Sequence, residues 1–483
     1  MLFNSLDFAI FLPLVLVLYW LLNRKALWMQ NALIVLASYV FYGWWDWRFL
    51  FLIFFSTVVD YSVGRRLGDT AAPDARKILL FFSLFINLGL LGFFKYYNFF
   101  VESFTEAFTI FGYPFDPYTL SIVLPVGISF YTFQTLSYSI DVYQKRLEPS
   151  NNFLAFSAFV SFFPQLVAGP IERATHLLPQ FLRRRTFSYP LAVDGMRQIL
   201  WGFFKKVVIA DNCGELANEI FNNYEAHDGS TLLLGALFFT FQIYGDFSGY
   251  SDIAIGTARL LGFDLMQNFA FPYFSRDIAE FWRRWHISLT TWFRDYVYIP
   301  LGGSRAGKWV TIRNVFIIFL VSGFWHGANW TFIVWGALNA LYFLPLLLAK
   351  KNRQHQGEIA EGRVLPSFKE LTQIAVTFGL TVVAWIFFRS PTVGDAIQYL
   401  GGMLNFTLLS FPSAIDIGQA AYTITLIVLM LVIEWFGRFG LHALERLGLE
   451  WHWVFRWSFY AFILMCILIF IPTHETPFIY FQF

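Results

Sequence analysis

The chain has 483 residues, of which 57% are hydrophobic, 21% aromatic and only 14% charged, with a formal net charge of +2. Soluble proteins carry about 25% charged residues, so this chain has too few to cover the surface of a soluble fold of its length. The composition excludes an ordinary soluble enzyme, a disordered protein and a nucleic-acid-binding protein. It predicts an integral membrane protein.

Apolar runs long enough to cross a bilayer recur along the whole chain and predict an all-α, polytopic membrane protein. About twelve spanning helices are expected, at residues 4–22, 29–45, 48–66, 78–97, 119–143, 193–212, 231–256, 310–328, 331–349, 371–388, 420–437 and 455–472. Two further stretches, 152–170 and 278–300, are apolar but awkward. The first contains Pro164, and a full span there would place the arginines at 183–185 outside. We therefore expect a re-entrant or surface-lying segment.

The positions of lysine and arginine predict the orientation, because these residues accumulate in cytoplasmic loops. Basic residues follow the first and third predicted spans, whereas loop 98–118 carries acidic residues and no basic one. Both termini are therefore expected on the extracytoplasmic side. The first apolar run, residues 8–22, has no basic residue before it and no small-residue cleavage site, so it is expected to stay as a span.

His326 lies near the end of an almost wholly apolar predicted helix that begins at about Val315. Ser322 and Asn329 lie four residues before it and three after it, a spacing that predicts one narrow polar stripe. An ionisable group in such a position is costly in lipid. Such a histidine either has a function inside the helix bundle or is an interfacial residue hydrogen-bonded to a neighbour. The residues alone leave both interpretations open. In the first case a neutral imidazole can act as a general base on a hydroxyl.

His286 lies in a second pattern, residues 278–296, whose apolar and aromatic positions recur at helical spacing. The pattern predicts one amphipathic helix with His286 toward its apolar side, near Trp282 and Trp285. From the residues alone, a buried and satisfied histidine is the better interpretation.

Two carboxylates, Asp246 and Asp252, fall inside the predicted span 231–256, and Tyr250 shares a face with the first of them. Carboxylates in a span are costly unless they are paired. The nearby arginines are the expected partners, at positions 276, 283, 284 and 294. A structural ion-pair network is favoured over direct catalysis.

Residues 276–313 hold seven basic and three acidic side chains. Cytoplasmic location alone explains this excess. The functional alternative is capture of a phosphate-bearing donor such as a coenzyme A thioester, through Arg283, Arg284, Arg294 and Lys308. The eight histidines include no pair at a spacing of three or four, and the two cysteines lie far apart, so we expect no metal site and no bound cofactor.

Several blocks of this sequence resemble the membrane-bound O-acyltransferase (MBOAT) family in order and in spacing. They are residues 163–171, 246–252, 280–289, 292–303, 325–327 and 477–481. The resemblance covers nearly the whole chain. Within the family it is strongest to the bacterial branch that acetylates alginate and other exported polysaccharides.

The resemblance implies a single domain over residues 1–483, a many-helix bundle around a funnel and tunnel, with its signature region at about 240–335. It implies that His326 is catalytic and that His286 occupies the second signature position, with Trp325 beside them. It further implies an acyl group, usually acetyl, passed across the bacterial inner membrane from a cytoplasmic thioester such as acetyl-CoA. A periplasmic acetyltransferase of the SGNH-hydrolase type then commonly places it on the polysaccharide.

Two other classes of function fit the same polar residues. A proton-coupled transporter or flippase would use the intramembrane carboxylates and histidines for flux, and would need no thioester. A non-catalytic conduit would scaffold an extracytoplasmic transferase, and His326 would then be dispensable.

Overall fold

The computed structural model describes residues 1–110, 112, 116–413, 415–472, 476, 478 and 479. Over these residues the chain forms helices and no strand. It divides into two compact units, Met1–Gly195 with Thr257–Met266, and Met196–Gly256 with Gln267–Phe483.

The first unit contains short and long α-helices. In chain order they are α1 (Leu6–Leu21), α2 (Leu27–Asp46), α3 (Leu50–Asp69), α4 (Pro73–Leu91), α5 (Tyr97–Ile110), α6 (Ile128–Tyr143), α7 (Phe153–Ser161), α8 (Phe163–Leu166), α9 (Ala174–Phe181) and the start of α10 (Tyr189–Phe203). Helices α3, α4 and α6 meet at the fully buried Asp60 carboxylate. Its oxygens accept hydrogen bonds from Ser83 at 2.5 Å, Asn87 at 2.9 Å and Ser139 at 3.0 Å. Neutral donors therefore satisfy this carboxylate within the helix core.

Residues 152–170 form no spanning helix, as expected. Helix α7 is nine residues long, well short of the ~20 needed to cross a bilayer. The helix stops at Phe162, and Pro164 lies in the first turn of α8, where its missing N–H costs no helical hydrogen bond. The side chains of both short helices are largely buried, so protein rather than lipid surrounds this irregular backbone.

The second unit contains the predicted signature region. Its remaining helices are α11 (Asp211–Asn222), α12 (Gly229–Leu260), α13 (Ile278–Arg284), α14 (Ile287–Phe293), α15 (Lys308–His326), α16 (Trp330–Leu348), α17 (Phe368–Arg389), α18 (Val393–Met403), α19 (Ile417–Gly437) and α20 (Trp453–Ile469).

Eight helical segments of the described residues are long and apolar enough to cross a membrane, and α20 is apolar but shorter. One segment, Leu27–Asp69, contains two of the predicted spans, which form α2 and α3. The chain is therefore a multi-pass membrane protein. Predicted spans 119–143 and 193–212 are not among the eight. Helix α6 has only 16 residues. Helix α10 continues into a π-helical turn, Phe204–Ala210, and residues 193–212 carry more charged side chains than a membrane-spanning segment tolerates. The number of about twelve spans stays a prediction.

Candidate active site

His286 lies at a sharp break in the backbone, so the prediction of one continuous amphipathic helix over 278–296 is wrong. Helix α13 ends at Arg284, Trp285 is extended, and His286 adopts φ 44° and ψ 52° before α14 begins. This left-handed conformation is uncommon outside glycine, although asparagine, aspartate and histidine adopt it more often than other residues, and it costs about 1–3 kcal/mol. Strain of this size at a histidine marks the position as a functional candidate.

His326 is the last residue of α15, next to a very close contact between α15 and α16. A Cβ built on Gly323 would lie 2.2 Å from the carbonyl oxygen of Phe332, and one on Gly336 would lie 2.4 Å from that of Phe319. Only glycine allows two backbones to approach this closely. The close contact holds the C-terminal end of α15 in place.

The two histidines face each other inside the second unit. Their ring centroids are 6.3 Å apart, and only 1% of His286 and 4% of His326 is exposed. The Trp325 ring lies 6.1 Å from the first imidazole and 4.9 Å from the second. Trp335 lies 5.2 Å from His326. The arrangement places two imidazoles and one indole within reach of a single substrate group.

Asn268 connects His286 to two serines, Ser288 and Ser251, by hydrogen bonds. Its Oδ1 atom lies 3.0 Å from His286 Nδ1 and accepts a hydrogen bond from Ser288 Oγ at 2.9 Å. Its Nδ2 atom donates to Ser251 Oγ at 3.0 Å. The side chain of Phe247 packs edge-on against the imidazole at 4.6 Å. His286 is thus held from several sides.

Burial lowers the pKa of the His286 imidazole to about 3. Removal from water disfavours the charged form, so this imidazole is neutral near pH 7. A neutral imidazole carries one proton and one lone pair, and it can both donate and accept a hydrogen bond.

The prediction that arginines pair with Asp246 and Asp252 is wrong. Two lysines of the π-helical turn form these ion pairs instead. Lys206 Nζ lies 2.9 Å from Asp246 Oδ1, and Lys205 Nζ lies 2.6 Å from Asp252 Oδ2. Gln198 donates a further hydrogen bond to Asp252 at 2.8 Å. The carboxylates therefore join α12 to α10 and to the π-helical turn that follows it, which agrees with a structural network.

The C-terminal segment of the described chain also rests on this network. The backbone N–H of Ile479 donates to Asp246 Oδ2 at 2.6 Å. The Phe478 ring lies 5.2 Å from Tyr250 and 5.9 Å from Phe247, the residue that contacts His286. The rings of Phe478 and Phe247 thus connect Tyr250 to His286.

Ser322 and His326 share α15, but Asn329 does not belong to their stripe. The helix ends before Asn329, which instead caps the start of α16 by accepting a hydrogen bond from the backbone of Thr331. Its Nδ2 atom donates to the carbonyl of Pro391. The predicted three-residue stripe is therefore wrong at its last member.

Trp282 and Trp285, which were predicted to lie near His286, pack around the helix that precedes it. Trp282 Nε1 donates to Asn339 Oδ1 at 3.2 Å, which ties α13 to α16. Trp285 stacks on Phe281 at 5.5 Å and lies 5.0 Å from Trp385. Both side chains fix the short helix that precedes His286.

A cavity of about 480 Å³ opens beside the site, and Trp282 and Ile287 form part of its wall. Its other lining is mainly apolar, with Arg283, Arg294 and Arg353 among the polar residues. No carboxylate of the described residues lines it.

A second, more polar depression of about 650 Å³ shares Tyr298, Leu347, Asn352 and Arg353 with this cavity. It has four cationic side chains, namely Arg305, Lys308, Lys350 and Arg353. We call this depression the cationic basin.

The four predicted donor contacts separate in the structure. Arg294 lines the cavity and Lys308 lines the cationic basin. Arg283 also lines the cavity, but its guanidinium donates to the carbonyls of Asn352 and His355. Arg284 lines neither space and pairs with Glu280 at 3.1 Å.

Sequence reasoning missed Asn268, Lys205 and Lys206. The lysines follow an apolar run and could have been noticed as buried cations near two buried acids. No pattern in the sequence points to Asn268, because a single asparagine in a loop carries no spacing signal.

Comparison with known proteins identifies the family of this chain. The family model of the membrane-bound O-acyltransferases matches residues 149–363, which include both histidines. The protein named probable alginate O-acetylase of Pseudomonas aeruginosa is 41% identical, over 90% of this chain and 81% of its own length. The peptidoglycan O-acetyltransferase of Helicobacter pylori is 32% identical, over 100% of this chain and 98% of its own. The teichoic acid D-alanyltransferase of Bacillus subtilis is 29% identical over 45% of this chain and 57% of its own.

All three names describe the transfer of an acyl group, and this chain is likewise a membrane acyltransferase. The protein belongs to the membrane-bound O-acyltransferase family.

Proposed function

We propose that this protein takes an acetyl group from a cytoplasmic thioester and passes it across the inner membrane for O-acetylation of an exported polysaccharide. The observation that carries the proposal is the buried pair of imidazoles, 6.3 Å apart, beside a mainly apolar cavity that adjoins the cationic basin. The relatives that act on alginate and on peptidoglycan support an exported glycan as the final acceptor.

In the proposed reaction, His326 is the general base. Its imidazole removes the proton from an acceptor hydroxyl while the hydroxyl oxygen attacks the thioester carbonyl carbon. The new C–O bond forms, the C–S bond breaks, and the thiolate leaves with the proton that His326 returns to it. A positioned base of this kind contributes about 10²–10⁴-fold to the rate. Trp325 is the proposed N–H donor to the oxyanion, and His286 contacts the same substrate.

The proposed donor is acetyl-CoA or another acyl thioester. The mainly apolar cavity fits a slender thioester arm, and the cationic basin next to it fits the phosphates of a nucleotide head. Arg294 and Lys308 keep their predicted role as donor contacts. Arg353 lines both spaces and joins that set. No bound cofactor takes part.

The proposed partners lie on the other side of the membrane. We expect a periplasmic acetyltransferase of the SGNH-hydrolase type to receive the acetyl group and place it on the polysaccharide. This arrangement requires the donor site to face the cytoplasm. The charge distribution predicts that orientation, with cytoplasmic basic loops and extracytoplasmic termini. Reporter fusions at residues 183–185 and at each terminus test the orientation.

His326→Ala tests the catalytic assignment. We expect the variant to insert and to fold, and to lose acetylation of the polysaccharide, measured by mass spectrometry of the purified glycan. His452→Ala is the control, because that histidine is exposed at the start of α20. Acetylation that persists in His326→Ala would refute the base and favour a non-catalytic conduit.

Arg305→Glu and Arg353→Glu test the donor site. Reversal of one charge in the cationic basin is expected to raise the KM for acetyl-CoA at least about tenfold, the effect of 1.4 kcal/mol, with a smaller effect on kcat. Arg446→Glu is the matched control, since this exposed arginine lies outside both spaces. An unchanged KM in both basin variants would exclude the basin as the donor site. Substrate flux in vesicles without any thioester would favour a transporter instead.

A further inference from the structure

We propose that Asn268 is a positioning residue, which keeps the His286 proton on Nδ1 and so leaves Nε2 as a hydrogen-bond acceptor for the substrate. The proposal rests on the proposed function, in which His286 contacts the substrate. It assigns a role to a residue whose side chain is fully buried and lies outside every motif in the sequence.

The orientation of the Asn268 amide follows from its neighbours. The backbone N–H of Ser288 points to the Oδ1 position at 3.4 Å, and a backbone N–H can only donate. The atom in that position is therefore the amide oxygen and not the nitrogen. The Nδ2 atom then donates to Ser251 Oγ at 3.0 Å, which is consistent with the same orientation.

The His286 tautomer follows from the amide. Asn268 Oδ1 carries no proton, so the 3.0 Å contact with His286 Nδ1 is a hydrogen bond only if Nδ1 donates. In a neutral imidazole the proton on one nitrogen leaves a lone pair on the other. Nε2 is therefore an acceptor, and it cannot donate a hydrogen bond to an oxyanion.

The surroundings of Nε2 point to a ligand. The atom is buried and has no hydrogen-bond partner among the described residues. Buried polar atoms are rarely left without a partner, so a substrate group is the natural occupant. The rings around His286 are Phe247 of α12, Phe269, and Trp325 with His326 of α15. His326 is the one titratable ring among them.

The inferred role of His286 is therefore to accept a hydrogen bond from an N–H or O–H group of the substrate. This orients the substrate, while the proton transfer itself stays with His326. The stabilisation of the oxyanion then belongs to another donor, for which the indole of Trp325 is placed.

Two substitutions of Asn268 separate this role from a merely structural one. Asn268→Leu keeps a similar volume but removes the acceptor, so both tautomers of His286 become available and its orientation is lost. We expect kcat to fall about 10- to 100-fold, by analogy with the loss seen when the hydrogen-bond partner of a metal-ligating histidine is removed. Asn268→Asp keeps the acceptor geometry and places a carboxylate beside the imidazole.

The pH profile is the decisive readout. The carboxylate in Asn268→Asp raises the pKa of His286, so Nε2 carries a proton up to a higher pH than in the wild type. We expect activity to fall where that proton is bound and to recover as the pH rises and Nε2 loses it. The acid limb of the profile of kcat/KM for acetyl-CoA should thus move to higher pH relative to the wild type.

Asn31→Asp is the matched control, since Asn31 is equally buried but bonds to Arg185 in the first unit. Its pH profile should stay that of the wild type. A wild-type profile in Asn268→Asp, or a wild-type kcat in Asn268→Leu, would overturn the proposal. If Asn268→Leu fails to fold, Asn268→Asp decides alone. An active His326→Ala variant would instead refute the proposed function, so the two failures are distinguishable.

Discussion

The close contact between α15 and α16 provides a sharp test of how the fold places His326. Gly323 lies three residues before this histidine, on the same helix. A Cβ at Gly323 would lie 2.2 Å from the Phe332 carbonyl oxygen, against 3.4 Å for the shortest ordinary van der Waals contact, so the helices must separate by about 1.2 Å. The blocking atom is backbone, which cannot rotate out of the way as a side chain can.

A displacement of this size is large for catalysis. Misplacement of a catalytic group by about 1 Å can lower the rate about 10²-fold. We therefore expect Gly323→Ala to lower kcat by about 10²-fold, while the protein still inserts into the membrane. The assay is acetyl transfer from acetyl-CoA by purified protein in lipid vesicles, together with thermal unfolding in detergent.

Gly379→Ala is the matched control. Gly379 lies inside α17, and a Cβ there meets nothing within 4 Å. Alanine in an open helical position is expected to stabilise by about 0.4–1 kcal/mol and to leave kcat unchanged. A Gly323→Ala variant with the kcat of the wild type would refute the reasoning, because the close contact would then not control the position of His326.

Two further predictions concern charged pairs. Asp252→Leu leaves the Lys205 ammonium buried without its carboxylate and should cost about 3–5 kcal/mol of stability; the double variant with Lys205→Met should recover most of the loss in thermal unfolding. An Asp252→Leu protein that is stable but inactive would assign Asp252 to the chemistry instead. In the first unit, hydrogen bonds to Asp264 and then to Glu172 raise the pKa of His176 to about 10. Because this pKa lies above the usual 6.5, the stabilisation is complete below about pH 6.5 and is lost as the pH rises through about 10. His176→Asn should flatten this loss in the unfolding temperature, and an equally steep loss in the variant would contradict the assignment.

Much of the membrane topology was accessible from the sequence because hydropathy is a local property. The predicted spans from 310–328 to 420–437 each correspond to one helix whose ends differ by a few residues at most. The prediction of a spanning helix failed for two segments that are long enough to span but contain polar residues or an irregular backbone. Residues 119–143 begin without a helix, and residues 193–212 end in a π-helical turn that carries two buried lysines.

The candidate site shows the same division. Both histidines were found from the sequence, since long blocks around them resemble one family. The helical periodicity around His286 was nevertheless misleading. The helical spacing of apolar residues can continue across a break between two helices when both helices bury apolar side chains. This spacing therefore does not reveal a single residue in the left-handed conformation between them.

The sequence by itself determined the class of protein, because 14% charged residues cannot cover a soluble fold of 483 residues. It also predicted which two imidazoles carry the chemistry, through the blocks that contain them. Only the tertiary structure decided which groups meet them. The pairing of Asp252 with Lys205, and the contact of Asn268 with His286, depend on which faces of separate segments come together. The spacing of residues along the chain indicates which of them share a face of one helix. It does not indicate which faces of different helices pack together.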